Sequence, residues 1–148
     1  MRAVVQRTTG ASVEVEGAIV GEIARGLVVF LGIGEGDSNA DLEYICDKVT
    51  GLRVFDDENE IPNLSVCDIG GSVLLISQFT LCADARKGKR PSYIKAARPE
   101  VAIPLYEAAI ARIRESVPVA SGVFQAYMQV RLVNDGPHTI LLDSKKLF

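Results

Sequence analysis

The sequence contains a single imidazole, His138. Acting as a base, it would complete a Ser-His-Asp set with Ser77 or Ser144 and Asp135 or Asp143, yet no GxSxG elbow presents either serine as a nucleophile. The three cysteines, Cys46, Cys67 and Cys82, include no CxxC pair, and zinc sites draw four ligands from shorter spacings than theirs. They read as small buried or half-buried thiols of a reducing compartment, and neither a metal nor another cofactor is expected. A GxGxG spacing at Gly32, Gly34 and Gly36 stands ahead of a helical pattern. As a phosphate loop it is a weak signal, and a turn leaving a buried strand explains it equally well.

Two other segments concentrate polar groups where the backbone is special. SQFTL at 77–81 puts Ser77, Gln78, Phe79 and Thr80 at the end of a strongly apolar run. Strand ends are common seats for functional groups; an ordinary sheet edge, with Phe79 and Leu81 turned to the core, is the alternative. NDGPHT at 134–139 reads as a tight turn between two strands. Gly136 before Pro137 permits unusual backbone angles, and an X-Pro bond is the kind that adopts cis. Such a turn exposes main-chain carbonyls in a fixed arrangement. Between 84 and 98, Arg86, Lys87, Lys89, Arg90, Lys95 and Arg98 face only Asp84, a local charge of +5. The whole chain carries −3, so the remainder carries −8. One basic segment on an acidic body is the footprint of phosphate contact, or else a solvated charged loop.

The elements that must position these groups follow from the apolar spacing. Residues 2–15 are rich in Val and Thr, with a bend or bulge near Gly10. Residues 18–23 and the apolar run 27–33 follow across turns at Gly17 and Gly26. This predicts a three-stranded antiparallel meander whose third strand is buried on both faces. Ser38 or Asn39 caps a helix over 40–50, with Asp41 and Glu43 in its first turn and Gly51 at its end. Leu42, Ile45, Cys46 and Val49 form its apolar face. A short strand at 52–55, an exposed acidic loop at 56–60, a turn at 68–71 and a strand at 73–81 precede the basic loop, which Gly88 and Pro91 mark. A second helix spans 99–116 with Val101, Leu105, Ala109 and Ile113 on its inner face; Pro104 fits near its start or kinks the first turn. Strands at 119–122, 128–134 and 139–143 finish the chain.

With 148 residues, 48% hydrophobic and 24% charged, the chain supports one core and leaves little room for a second. The fold class is α/β: a single compact domain, 1–148, of mostly antiparallel strands in packed sheets with two helices on one side. The longest apolar run, 26–33, falls far short of the roughly 20 residues of a membrane span. The first residues alternate and carry charge early, unlike a signal peptide, so a soluble cytoplasmic protein is expected.

Along nearly the whole chain and in order, MRAVVQR (1–7), GLRVF (51–55), NLS (63–65), SQFTL (77–81), RKGKRPS (86–92), MQV (128–130) and VNDGP (133–137) resemble the D-aminoacyl-tRNA deacylase family. SQFTL combined with a late Asn-x-Gly-Pro is the specific part. Related animal deacylases that act on L-alanine replace SQFTL, so it points to the D-specific branch. The resemblance implies a homodimer with each active site built across the subunit interface. It implies a cis Gly136–Pro137 bond whose carbonyl oxygens project into the partner's pocket as a chirality filter, with Arg7 holding the motif. Ser77, Gln78, Phe79 and Thr80 would line the pocket of the other subunit. Aminoacylated tRNA would be the partner, neither DNA nor a membrane, and Arg86, Lys87, Lys89 and Arg90 would meet the acceptor-stem backbone. The family usually continues Gly-Pro-Val-Thr and often has Phe where Tyr93 stands. Here His138 follows Pro137; as a strand residue it is expected to point away from the substrate, the alternatives being contact with tRNA or with the interface.

An aminoacyl-tRNA is an activated ester beside a 2′-hydroxyl. An enzyme acting on it must position the ester, orient water and stabilise the oxyanion rather than supply a strong nucleophile. The N–H groups of Phe79 and Thr80 are candidates for the last task, and the 2′-hydroxyl would assist, as is proposed for the family. Two alternatives remain at this level. One makes Thr80 the nucleophile of an esterase or amidase on small D-amino acid derivatives, for which no base is evident. The other is a non-catalytic RNA-binding module built on the basic loop.

Overall fold

Val and Thr recurring through the first fifteen positions produce one long strand, β1 (Arg2–Val15), whose side chains turn alternately inward and outward. In the computed structural model, which describes residues 1–148, β1 is the centre of the sheet. One of its edges is shared. The first half pairs antiparallel with β3 (Gly26–Gly32), from Arg2↔Gly32 to Thr8↔Gly26. The second half pairs with β2 (Ala18–Ile23), from Ala11↔Ile23 to Val15↔Ala18. The expected meander is corrected accordingly: β3 returns to β1, not to β2. The tight turn at Glu16 and Gly17 lets the six-residue β2 reach only the end of β1, which leaves the first half free for β3.

As anticipated, β3 is buried along nearly its whole length. It pairs in parallel with β6 (Ser72–Ser77), and β6 pairs in parallel with β7 (Val119–Ser121). Near-continuous apolar runs such as LVVFL and VLLI suit strands covered on both faces. The far edge of β1 belongs to β8 (Gln129–Asp143). The sheet curls until β2 lies against β7: a Cβ on Gly21 would stand 2.7 Å from Ser121 O. Inside the curl, Ala11, Val13, Ile23, Val28, Leu74 and Ile76 form a small core. On the other face, α1 (Asn39–Gly51) and α2 (Pro99–Arg114) cover a larger core that includes Val5, Leu27, Val29, Leu31, Val73 and Leu75.

Helix α1 starts from a capping box in which Ser38 N–H and Oγ both donate to Asp41 Oδ2 at 2.9 Å. Its buried face is the one read from the sequence. In α2 the buried residues are Ala102, Leu105, Tyr106, Ala109 and Ile113, whereas Val101 is 48% exposed. A stripe taken at every fourth residue drifts around a 3.6-residue helix, so the expected face holds at Leu105, Ala109 and Ile113 and misses only at Val101, where Ala102 turns inward instead. The strand expected at 52–55 shrinks to β4 (Phe55–Asp56), which pairs with β5 (Pro62–Leu64) in a separate ribbon. Neither helix is long and apolar enough to cross a membrane.

Candidate active site

The strand expected over 73–81 stops at Ser77, whose partner is Leu31, and Gln78 N–H closes the ladder on Leu31 O at 2.8 Å. The chain then tightens into a 3-10 turn, Phe79–Cys82. Gly32 leaves room for it: a Cβ there would stand 2.8 Å from Leu81 Cβ and 2.9 Å from Gln78 O. The turn throws Phe79 outward, 56% exposed, so an ordinary sheet edge with Phe79 in the core is excluded. At the start of a helical turn the first N–H groups have no carbonyl behind them, and those of Phe79 and Thr80 donate to no atom of the chain. Gln78 Nε2 donates to Thr80 Oγ1 at 2.5 Å.

This corner forms one wall of a cleft of about 650 Å³. Leu31 and Ile76 come from the sheet and Ile33 from just past β3, Ala97, Pro99 and Ala102 from α2 and its approach, and Phe124 and Met128 from the loop before β8. The polar groups of the lining are those of Ser77, Gln78 and Gln125 and the phenol of Tyr127; no carboxylate, Lys, Arg or His side chain lines it. Burial pushes the Cys46 thiol up to about 12 and raises that of Cys82, so neither is a thiolate near neutral pH. His138, half-buried, makes no hydrogen bond to a serine or aspartate. Ser144 instead accepts from the Met1 amine at 2.8 Å and donates to Asp41 at 2.7 Å, while Asp143 pairs with Arg2 at 3.0 Å. The Ser-His-Asp set weighed from the sequence is therefore not assembled in the chain.

The segment 135–138 is not a turn between two strands. β8 pairs with β1 on both sides of it, Asn134 with Thr8 and Thr139 with Gln6. Asp135, Gly136, Pro137 and His138 thus bulge out of one continuous strand opposite the single residue Arg7. The Gly136–Pro137 bond is cis. Arg7 is only 7% exposed and grips the base of the bulge. Its Nε stands 2.9 Å from Asp135 Oδ2 and 3.3 Å from Asp135 O. Its Nη1 donates to Val54 O at 2.7 Å and to Asp56 Oδ2 at 3.3 Å. Thr8 is fully buried, with Oγ1 2.7 Å from Val133 O and 2.8 Å from Gly10 O. Sequence reasoning alone does not reveal Thr8, Val54 or Asp56. For Thr8 the available signal was a polar residue on a strand with core residues around it; for the other two there was none.

Corner and bulge do not meet within one chain. Arg7 pairs with Leu27, whereas Ser77 pairs with Leu31. Four residues at ~3.3 Å each separate the two levels by about 13 Å along the strand. None of Asp135, Gly136, Pro137 and His138 lines the cleft.

The basic loop is closed by reciprocal backbone bonds between Asp84 and Ser92, at 2.8 and 2.9 Å. Arg86 forks onto the Asp84 carboxylate, with Nε 2.9 Å from Oδ1 and Nη2 on Oδ2, and holds that carboxyl well below the usual range. Lys87, Lys89 and Arg90 are exposed and make no ion pair. Arg86 therefore shapes the loop, and the other three offer free charge.

Residues 4–143 match the family model described as D-Tyr-tRNA(Tyr) deacylase. Over the full length of both chains, the protein is 60% identical to a D-aminoacyl-tRNA deacylase of Koribacter versatilis and 56% identical to one of Desulfitobacterium hafniense. Among solved structures it is similar to a c-Myc DNA unwinding element binding protein, with a TM-score of 0.92 and 41% identity. That similarity covers 97% of this chain and 98% of the other.

Proposed function

The chain belongs to the D-aminoacyl-tRNA deacylase family, and from that premise we propose how it hydrolyses the ester between a D-amino acid and the 3′-terminal adenosine of tRNA. The apolar cleft seats the terminal adenosine, with the ester against Ser77, Gln78, Phe79 and Thr80. Water adds to the carbonyl carbon, and the carbonyl oxygen, now an oxyanion, is received by the N–H groups of Phe79 and Thr80. The carbonyl carbon then releases the 3′ oxygen, which takes a proton, and free D-amino acid leaves. The ribose 2′-hydroxyl is the group within reach to relay protons. What carries this reading is the pair of N–H groups without an acceptor beside a cleft that no carboxylate, Lys, Arg or His side chain lines. Losing one such donor typically costs about 10²–10³ in rate. Thr80 is a poor nucleophile here, since its oxygen already accepts from Gln78 and no base touches it.

The other half of the site comes from a second copy of the chain. The outer edge of β8 is unpaired and Val133 and Leu141 on it are exposed, which suits a homodimer contact. In that dimer the Gly136–Pro137 bulge of one copy walls the cleft of the other. Its main-chain oxygens accept from the substrate ammonium and leave room for hydrogen, not for a side chain, on the near side of Cα. An L-amino acid is rejected by the clash; D-amino acids of many kinds, and glycine, are accepted. Lys87, Lys89 and Arg90, on the loop that Arg86 braces, meet the acceptor-stem backbone through salt-sensitive, sequence-blind contacts. Work on tRNA places the protein in the cytoplasm.

Purified protein incubated with D-Tyr-tRNA and with L-Tyr-tRNA tests this reading. Loss of the D-form alone is expected. Binding without turnover would mark an RNA-binding module instead, and equal efficiency on free D-amino esters would mark a small-molecule esterase. A substrate ending in 2′-deoxyadenosine should be cleaved slowly; normal cleavage removes the 2′-hydroxyl from the mechanism. Thr80→Ala should retain turnover, and its complete loss with tRNA binding intact would make Thr80 the nucleophile.

A further inference from the structure

From the cleft wall the Phe79 ring continues outward into an exposed aromatic step whose outer members, Tyr93 and Ile94, the deacylation chemistry does not use. Phe79 packs edge-on against Tyr93, with ring centroids 5.2 Å apart and planes at 69°. Tyr93 remains 41% exposed, and its neighbour Ile94 is 85% exposed. In a core, such rings would be covered; here much of each ring still faces outward, as a surface suited to a flat apolar partner. The segment is continuous with both flanking features. Immediately before it the closed basic loop presents Lys87, Lys89 and Arg90, and Ser92 pairs back onto Asp84. Immediately after it, Ala96, Ala97 and Pro99 line the cleft. Lys95 and Arg98 add two more exposed cations that make no ion pair. Along the chain, free cations lead to an aromatic step and the step leads to the cleft.

We propose that Tyr93, with Phe79 and Ile94, seats the unpaired nucleotide that precedes the terminal adenosine of tRNA, stacking its base while Lys87, Lys89 and Arg90 take the backbone phosphates. The proposal rests on the deacylase reading, which puts the terminal adenosine in the cleft. An unpaired base exposes a π-face that a duplex hides, and aromatic stacking flanked by cations is how single strands are held without reading sequence. The step acts on binding, not on the ester, so its effect should fall on substrates that carry the preceding nucleotide.

Two substrates separate the possibilities: D-tyrosyl-tRNA and 3′-O-(D-tyrosyl)adenosine, which lacks every preceding nucleotide. Tyr93→Leu keeps an apolar side chain at a half-exposed position. Its kcat/KM on the tRNA should fall about tenfold, mostly through KM, and by much less on the adenosine ester. Tyr93→Phe should restore the tRNA value. Equal losses on both substrates would reduce Tyr93 to a prop for Phe79, and no loss on either would also overturn the proposal. If the unaltered protein hydrolyses neither substrate, the deacylase reading fails instead. A second readout is independent of turnover. The chain has no Trp, so an RNA with the tRNA acceptor end and 2-aminopurine in the penultimate position reports its own stacking. Its fluorescence should be quenched by the unaltered protein and by Tyr93→Phe, but not by Tyr93→Leu; absence of quenching with the unaltered protein sinks the idea.

Discussion

Arg7 should couple stability to stereochemistry, and its contacts allow the size of both effects to be worked out. The bond from Nη1 to Val54 O, at 2.7 Å, is buried, and a hydrogen bond from a charged donor contributes about 1.5–3 kcal/mol. The two carboxylates it meets are more accessible: Asp56 and Asp135 are 43% and 37% exposed. Screening by water reduces each of those pairs to about 0–1 kcal/mol. Losing the buried stem adds to the cost. Arg7→Ala should therefore destabilise the protein by about 2–4 kcal/mol, which moves a urea midpoint down by about 1–2 M for a domain of this size. Arg7→Lys keeps the charge and most of the stem but cannot fork between Asp135 and Val54. It should lose less stability, yet free the base of the bulge. If that bulge is the wall that excludes L-amino acids, an ångström of looseness is enough to lower the ratio of D-Tyr-tRNA to L-Tyr-tRNA deacylation by about 10²-fold. Single-turnover deacylation of the two substrates gives the ratio directly. Native selectivity in Arg7→Lys, or a native urea midpoint in Arg7→Ala, would mean that Thr8 and the β1–β8 ladder hold the bulge unaided.

Gly32→Ala places a methyl 2.8 Å from Leu81 Cβ and 2.9 Å from Gln78 O; it should cost about 1–3 kcal/mol of stability and shift the 3-10 corner. A variant with native kcat on D-Tyr-tRNA would show that the corner tolerates displacement. Burial alone would raise the Asp41 carboxyl, but hydrogen bonds from Lys145, Ser144 and Ser38 outweigh it and hold the group well below its usual range. A depressed carboxyl stabilises the fold above its unfolded value of roughly 3.9 and loses that contribution as pH falls toward the folded one. Thermal unfolding between pH 7 and pH 3 should accordingly be less acid-sensitive in Asp41→Asn than in the unaltered protein, and identical slopes would refute the assignment.

Local pattern was enough for the elements whose neighbours in sequence decide their state. β1, β2, β3, α1 with its Ser38 cap, and the loop carrying Lys87, Lys89 and Arg90 all stand where spacing and turn residues put them. What failed was long-range. Alternation cannot say whether β3 returns to β1 or to β2, because both present the same edge; nor can the run VLLI announce that its partner lies parallel. The corner after Ser77 escaped because Phe79 and Leu81 continue an alternating strand pattern, while the residue that makes room for a 3-10 turn there, Gly32, is forty-five positions upstream. Asn134, Asp135, Gly136 and Pro137 carry every mark of a hairpin turn. The two strands they join pair with β1 rather than with each other, so the same residues make a bulge. The candidate site residues themselves were visible by type and by resemblance, but not what holds them: Thr8, Val54 O and Asp56 reach Arg7 and the bulge across the fold.

A site that discriminates mirror images needs positional accuracy more than chemical variety, and the two halves proposed for this one are hung accordingly. Gly136 and Pro137 offer a substrate little besides main-chain atoms, so a wall built from them would not depend on a rotamer. The groups that grip the bulge, Arg7 and Thr8, are both buried. Both sit on β1, which is laddered to β3, which is laddered to β6, whose last residue opens the Phe79–Thr80 corner. Bulge and corner are therefore referenced to the same central strands in every copy of the chain. In the proposed two-copy site the remaining freedom would be confined to the contact between copies, for which the free edge of β8 is the candidate. A substitution on that edge that leaves each copy folded should then change D/L selectivity and dimer affinity together, whereas changes in the basic loop should weaken tRNA binding and leave selectivity alone.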